Sequence, residues 1–217
     1  MVDNLKFSDA GGITMNHPTW FTAFTDEEVC EMLDFDSGVL GIEIYNDYSA
    51  LKNWYVYPKY KAPDEAMQGF SLNMWDRILS TGRKCWGFCV PDHSVEIEFN
   101  KRNGNWLGRT ILLVPTFTEH DCLKAYREGQ FYGCLQDNGL TLTEFKATNS
   151  SISVSTNKTA MIKFITDAAP SLTITGESVT YDLPTERDAG DLTYVRVEVE
   201  DDSGECLFLQ PVIYNAK

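Results

Sequence analysis

Two of the three histidines in this chain stand where a buried strand would end. His17 follows the apolar run 12–15, and His93 follows the apolar run 85–90 with Asp92 immediately before it. Imidazole and carboxylate groups are ligands that proteins offer to divalent metal ions. Because the carboxyl ends of parallel strands meet at one edge of a sheet, these positions predict a metal site there.

Two acidic residues near these histidines each leave alternatives open. Glu43 lies within the strand-like run 39–45, where a buried carboxylate is costly unless it faces the site or pairs with a cation such as Arg83. Asp92 and His93 are adjacent, and adjacent side chains of an extended chain point to opposite faces. Both would face one metal only if the chain bends, and Pro91 favours such a bend.

A strand–helix rhythm over the first 135 residues supplies the frame for these side chains. Thr25 and Glu28 form a capping-box pattern that opens a short helix, and Gly82 and Gly129 close two later helical patterns. Alternating strands and helices imply parallel βα units with both sheet faces covered. The predicted strands cover residues 12–15, 39–45, 85–90 and 110–114, and the predicted helices cover 25–33, 70–81 and 118–128.

A long aromatic segment, residues 46–69, follows directly on the second predicted strand. Long loops after strands often form pocket walls, but aromatic residues also pack such a loop onto the rim of a sheet, and both interpretations stay open. The pocket interpretation names Asn16, Asn46, Trp54, Tyr55 and Tyr57 as lining residues.

After Gly139 the pattern changes to strict alternation of apolar and polar residues. Several short alternating runs separated by turn residues predict a small antiparallel β-sandwich. We therefore predict two domains, an α/β domain over residues 1–136 and a β-sandwich over residues 139–217. The short predicted strands cover residues 141–143, 151–154, 160–164, 171–174, 179–181 and 194–199.

The bulk composition excludes several classes of function. The 217 residues carry a formal net charge of −14, which repels nucleic-acid phosphates and anionic membranes. This acidity either keeps the chain soluble or marks a cleft that attracts cations. Six cysteines without a disulfide framework, and no long apolar run, favour a cytoplasmic protein.

Several segments, in chain order, resemble motifs of the PHP-type metal-dependent phosphoesterases. Residues 11–18 read GGITMNHP and resemble their GG…NHP motif, and residues 41–46 read GIEIYN and resemble their GIEVYN strand. Residues 75–83, WDRILSTGR, and 129–132, GQFY, are similar to two later motifs. Residues 194–196 and 210–213 resemble the appended sandwich of the CehA/McbA-like branch.

This resemblance implies a partial (β/α)7, TIM-like barrel followed by the sandwich. Members of the family hold two or three divalent cations that activate water against a small phosphorylated substrate. By resemblance the cation is Zn, Fe or Mn, and the alternative is that this chain holds none. By position, His17 matches the NHP ligand and His93 matches the late histidine. Glu43 and Asp92 complete the set of metal-ligand candidates.

Two departures from the family pattern limit the expected activity. The early HxH motif has no counterpart, because the chain begins after it, and Pro91 stands where the late DxH motif has its aspartate. We therefore expect a truncated phosphoesterase-like protein that is not catalytically competent alone. The alternatives are a non-catalytic small-ligand-binding module and a structural or interaction module. A homo-oligomer, or a missing N-terminal segment, would cover the open barrel edge.

Overall fold

The structure is a computed structural model that describes residues 11–20, 24–46, 70–92, 108–135, 139–167, 171–183 and 192–214. These residues contain ten strands and three helices. In chain order they are β1 (Ile13–Met15), α1 (Asp26–Phe35), β2 (Val39–Asn46), α2 (Leu72–Leu79), β3 (Trp86–Val90), β4 (Gly108–Leu112), α3 (Glu119–Glu128), β5 (Phe131–Leu135), β6 (Leu142–Ala147), β7 (Ser151–Thr166), β8 (Leu172–Asp182), β9 (Tyr194–Glu200) and β10 (Cys206–Ile213).

The first sheet is parallel and has the strand order β1-β2-β3. β2 is buried along nearly its whole length, as expected of a strand covered on both faces. Helices α1 and α2 pack against each other and against β2. The core formed there includes Val29, Ile42, Ile44, Trp75 and Ile78.

The helix boundaries follow the predicted capping signals. Thr25 accepts a hydrogen bond from the Glu28 backbone N–H, and the Glu28 carboxylate accepts one from the Thr25 backbone N–H, so the predicted capping box is confirmed. Thr118 caps α3 through the Asp121 N–H. Gly129 ends α3 with φ of 72°, a left-handed conformation that glycine adopts without steric cost.

The second sheet is antiparallel and has seven strands in the order β4-β5-β10-β9-β7-β6, with β8 paired to the remaining side of β7. It curls around a core of its own. The interior of this sheet is apolar and includes Ile152, Ile162, Phe164, Val197 and Leu207.

The predicted α/β class with a partial (β/α)7, TIM-like barrel is wrong. The described residues form mostly β structure, and only three of their ten strands are parallel. The rule that strand–helix–strand implies parallel pairing fails at α3, because β4 and β5 on either side of it pair antiparallel. β5 then pairs with β10, so the chain continues into an antiparallel sheet instead of closing a barrel. The predicted division between residues 136 and 139 stays a prediction.

Four of the short strands predicted in the second half of the chain are, in the structure, parts of two long strands. Residues 151–154 and 160–164 belong to β7, and residues 172–174 and 179–181 belong to β8, which begins one residue after the predicted start at Ser171. The polar residues between the predicted strands form no turn. They lie at a register shift, where β7 has more residues than the facing part of β8.

The outer edge of β3 is joined to the antiparallel sheet by two side chains instead of a backbone ladder. The Gln210 amide donates to the Gly87 carbonyl and accepts from the Gly87 N–H, both at 2.8 Å. The Thr110 hydroxyl accepts from the Cys89 N–H at 3.3 Å and donates to the Cys89 carbonyl at 3.0 Å. These four bonds, here called the side-chain seam, satisfy backbone groups that burial would otherwise leave unpaired.

A buried arginine joins α2 to the same antiparallel sheet. Arg196 of β9 donates to both oxygens of Asp76 on α2, at 2.6 and 2.7 Å, and also pairs with Glu198. Its guanidinium lies 5.2 Å from the centre of the Trp75 ring. The Tyr194 hydroxyl donates to Asp76 at 2.9 Å, so a neighbouring strand residue completes the carboxylate's bonding.

No helix among the described residues has the length and apolar character needed to cross a membrane.

Candidate functional site

A polar cluster lies at the carboxyl ends of the three parallel strands. Glu43 Oε2 accepts a hydrogen bond from the His17 backbone N–H at 2.6 Å and another from Asn46 Nδ2 at 2.9 Å. The same Asn46 nitrogen donates to Asp92 Oδ2 at 3.1 Å. The structure thus brings together four predicted residues, one from the end of β1, two from β2 and one from the end of β3.

Asp92 reaches this cluster because the chain bends after Pro91. Its φ of 57° is left-handed, a conformation rare for residues other than glycine, asparagine and aspartate. Simple strand alternation would not fix the direction of this side chain. The bend that the sequence left open is present, and it turns the Asp92 carboxylate toward Asn46 on β2.

His17 also has an unusual backbone, with φ of 34°. The residue opens a turn in which the Trp20 N–H donates to the His17 carbonyl at 2.9 Å, and the two rings meet edge to face at 4.9 Å. Nδ1 of this imidazole is buried and has no hydrogen-bond partner within the described residues. Left-handed backbone at two strand ends, beside an unsatisfied polar atom, is a combination that occurs at functional sites.

Glu43 is the electrostatic centre of the cluster. Burial raises the pKa of its carboxyl group, and the hydrogen bonds from Asn46 and His17 oppose that rise only in part. Its alternative partner, Arg83, instead donates to Asp34 at 2.8 and 2.7 Å. Of the two alternatives from the sequence, Glu43 therefore faces the site.

Tyr126 of α3 extends the site and was not predicted from the sequence. Burial raises the pKa of its phenol, which hydrogen-bonds the Thr14 side chain and lies within electrostatic range of Glu43. The ring packs against Phe88 and Phe131, with centroid distances of 4.8 and 5.9 Å. The only sequence signal was a tyrosine on a predicted amphipathic helix, which by itself indicates packing.

The remaining predicted site residues divide into two groups. Asn16 is exposed at the end of β1 and belongs to none of the hydrogen bonds of the cluster. His93, Trp54, Tyr55 and Tyr57 lie outside the described residues.

The residues present do not fit a multinuclear metal centre. Within the described ranges, no three His, Cys, Asp or Glu side chains are grouped closely enough to hold a metal ion. The cluster itself gives a physical reason, because the Asn46 amide donates to both carboxylates that would otherwise share a cation. The amide bridges the two carboxylates by hydrogen bonds but supplies neither the positive charge nor the Lewis acidity of a metal ion.

Comparison with known proteins found no match to this chain among family models, curated proteins or solved structures. The resemblance to the PHP phosphoesterases therefore stays a prediction that rests on the sequence motifs.

Proposed function

We propose that this chain is a non-hydrolytic relative of the PHP phosphoesterases, whose strand-end site binds a small hydroxyl-rich, sugar-like ligand. The observation that carries the proposal is the bridge from Asn46 to Glu43 and Asp92. Phosphoester hydrolysis of the family type needs cations between such carboxylates, to polarise the phosphoryl group and activate water. The bridge replaces that arrangement with hydrogen bonds from an uncharged amide.

The chemistry of the cluster favours ligands that donate hydrogen bonds. Both bonds to Glu43 use Oε2, and no donor from the described residues reaches Oε1. The buried Nδ1 of His17 is a further acceptor when the neutral imidazole carries its proton on Nε2. Sugar hydroxyls supply donors to such acceptors at no electrostatic cost.

A bare phosphate group fits this site poorly. Two carboxylates stand at the strand ends, and no lysine or arginine among the described residues forms an ion pair with either of them. An anion would therefore meet uncompensated negative charge. We expect a neutral sugar to bind more tightly than its phosphorylated form.

The second candidate function is a metal-dependent phosphoesterase. The unsatisfied Nδ1 of His17 favours it, because imidazole nitrogen is a common ligand of Zn, Fe and Mn. In that case His17 would supply one ligand, because His17, Glu43 and Asp92 do not by themselves form a group close enough to hold a metal. The additional ligands would have to come from His93 or from other chain outside the described residues.

Two assays separate the candidates. Ligand-observed NMR with a panel of neutral monosaccharides and polyols, and with their phosphate esters, tests binding. The proposal expects a neutral compound to bind the native chain and to lose binding in His17→Ala, but not in the exposed control Asn16→Ala.

Hydrolysis of bis(p-nitrophenyl) phosphate with Mn²⁺ or Zn²⁺ tests catalysis. Turnover that His17→Ala abolishes would establish the second candidate and overturn the first.

The bridge itself is tested by Asn46→Asp. This substitution places a third carboxylate between Glu43 and Asp92, which creates an oxygen cluster that a divalent cation can neutralise. We expect Mn²⁺ affinity to rise about tenfold or more over the native chain by titration calorimetry. The matched control is Asn73→Asp, which adds the same charge on the exposed face of α2. Equal Mn²⁺ affinity in both variants would show that the bridge does not control metal binding.

A further inference from the structure

The edge strand β8 carries a second, independent inference. It has eleven residues, and among the residues that the structure describes it pairs only with β7. Long edge strands present a row of backbone donors and acceptors, and proteins usually protect them with lysine, proline or a covering element. Residues 172–182 contain neither lysine, arginine nor proline.

The other sheet edges are shorter or already engaged. β1 has three residues and β6 has six, and β4 lies against β3, where Thr110 bonds the Cys89 backbone. β8 is therefore the described edge with the most backbone available for another strand.

The faces of β8 are arranged symmetrically about its centre. In the second half, Val179 and Tyr181 belong to the core of the antiparallel sheet, and in the first half Ile174 packs against that core. Ile174 and Val179 are five residues apart, and side chains an odd number of residues apart on a regular strand point to opposite faces. Because both of these side chains face the core, the alternation shifts by one residue in the middle of β8. The switch coincides with the register shift between β7 and β8, next to Glu177.

We infer that two copies of this chain form a twofold-symmetric dimer by antiparallel pairing of β8 with β8. The axis passes between Gly176 and Glu177, where the parity of the strand changes. In this register the apolar residues on the core face, Leu172, Ile174, Val179 and Tyr181, meet one another, and the outer hydroxyl residues meet one another. The resulting pairs are Leu172 with Tyr181, Thr173 with Thr180, Ile174 with Val179, Thr175 with Ser178, and Gly176 with Glu177.

The charges of β8 agree with this register. Glu177 lies opposite Gly176 and Asp182 opposite Ser171, so no carboxylate stands directly across from another carboxylate. The outer residues Thr175 and Ser178 are exposed, and Ser178 already bonds Ser155 of β7 at 2.9 Å in the same hydroxyl-rich face. A second copy would extend this face without burying an unpaired charge.

A charge-swap pair tests both the interface and its register. Thr175→Lys with Ser178→Lys places lysine opposite lysine at two symmetric points, whereas Thr175→Glu with Ser178→Lys places glutamate opposite lysine at the same points. We expect the native chain to dimerise in analytical ultracentrifugation. The dimer dissociation constant of the first variant should exceed that of the second by about tenfold or more.

Circular dichroism of both variants establishes that each is folded, since both lose the same Ser155–Ser178 bond. Hydrogen exchange of the native chain gives a test without substitution, and exchange of the amides in residues 172–182 should slow as protein concentration rises. A native chain that stays monomeric at every accessible concentration would overturn the inference. Equal dissociation constants for the two variants would overturn the proposed register.

Discussion

The two sheets of this protein satisfy their backbones in different ways. In the antiparallel sheet, ladder hydrogen bonds run from strand to strand across all seven strands. In the parallel sheet the ladder stops at β3, and two side chains, Gln210 and Thr110, take its place. The polar cluster lies at the carboxyl ends of the parallel strands, and so do His17 and Asp92, the two non-glycine residues with positive φ among the described residues. Continuous backbone pairing thus extends through the antiparallel region, and left-handed backbone accompanies the candidate site.

The largest effect should come from breaking the buried contact between the two regions. Arg196→Met removes a guanidinium that is 3% exposed and leaves Asp76 without its bidentate partner. Because the Asp76 side chain is 27% exposed, water recovers part of the loss. We expect the free energy of unfolding to fall by about 3 kcal/mol in urea titrations.

The control for this prediction is Arg77→Met on the same helix. Arg77 pairs with Asp26, but both side chains are well exposed, so its loss should cost no more than about 1 kcal/mol. Equal losses in the two variants would mean that α2 does not depend on the antiparallel sheet.

The side-chain seam should contribute the next largest effect. Gln210→Leu fills much of the same space but leaves the buried N–H and carbonyl of Gly87 unpaired. We expect a loss of about 2 kcal/mol, measured as a lower urea midpoint. Gln130→Leu makes the same change at an exposed position and should leave the midpoint nearly unchanged. If the side-chain seam does not stabilise the fold, Gln210→Leu and Gln130→Leu will have similar urea midpoints.

Backbone strain at the site predicts a gain in stability at the expense of binding. His17→Gly removes the steric cost of a positive φ and should stabilise the fold by about 1 kcal/mol in thermal unfolding. The same change removes the Nδ1 acceptor, so sugar binding should disappear. Asn16→Gly, next to it but without a positive φ, should stabilise nothing. A destabilised His17→Gly would show that the imidazole contributes packing instead of a site.

The smallest effect should be a pH dependence from Glu43. Because burial raises the pKa of this group above 4.5, the folded state binds its proton more tightly than the unfolded state does. Stability from this group is therefore present at low pH and declines as pH rises from about 4.5 through the raised pKa.

Glu43→Gln keeps an acceptor for the His17 N–H but carries no charge. Urea titrations across pH should show the variant gaining on the native chain as pH rises, with the difference shrinking toward acid pH. A difference that does not change with pH would mean that Glu43 has the same pKa in the folded and unfolded states.

Local signals predicted the three described helices well. Three signals act over a few neighbouring residues and can therefore be recognised from the sequence alone. They are the capping box of α1, the helical spacing in α2 and the glycine that ends α3. The convergence of parallel strand ends predicted a site at His17, but whether Glu43 faced that site or paired with Arg83 was decided only by the structure.

Long β pairing was less predictable. The polar residues near Lys158 and Gly176 resembled turns, but in the structure they lie at a shift within two continuous strands. Whether such residues turn the chain or bulge out of it depends on a partner strand, and that partner is set by distant contacts.

By itself, the sequence determined where most helices and strands lie and which polar residues end the parallel strands, because capping and periodicity are local physics. Only the tertiary structure decided that β5 leaves the parallel series to pair with β10, that Gln210 reaches Gly87, and that Asp92 turns toward Asn46. These outcomes depend on pairing and burial between residues far apart in the chain, where no short-range pattern distinguishes one partner from another.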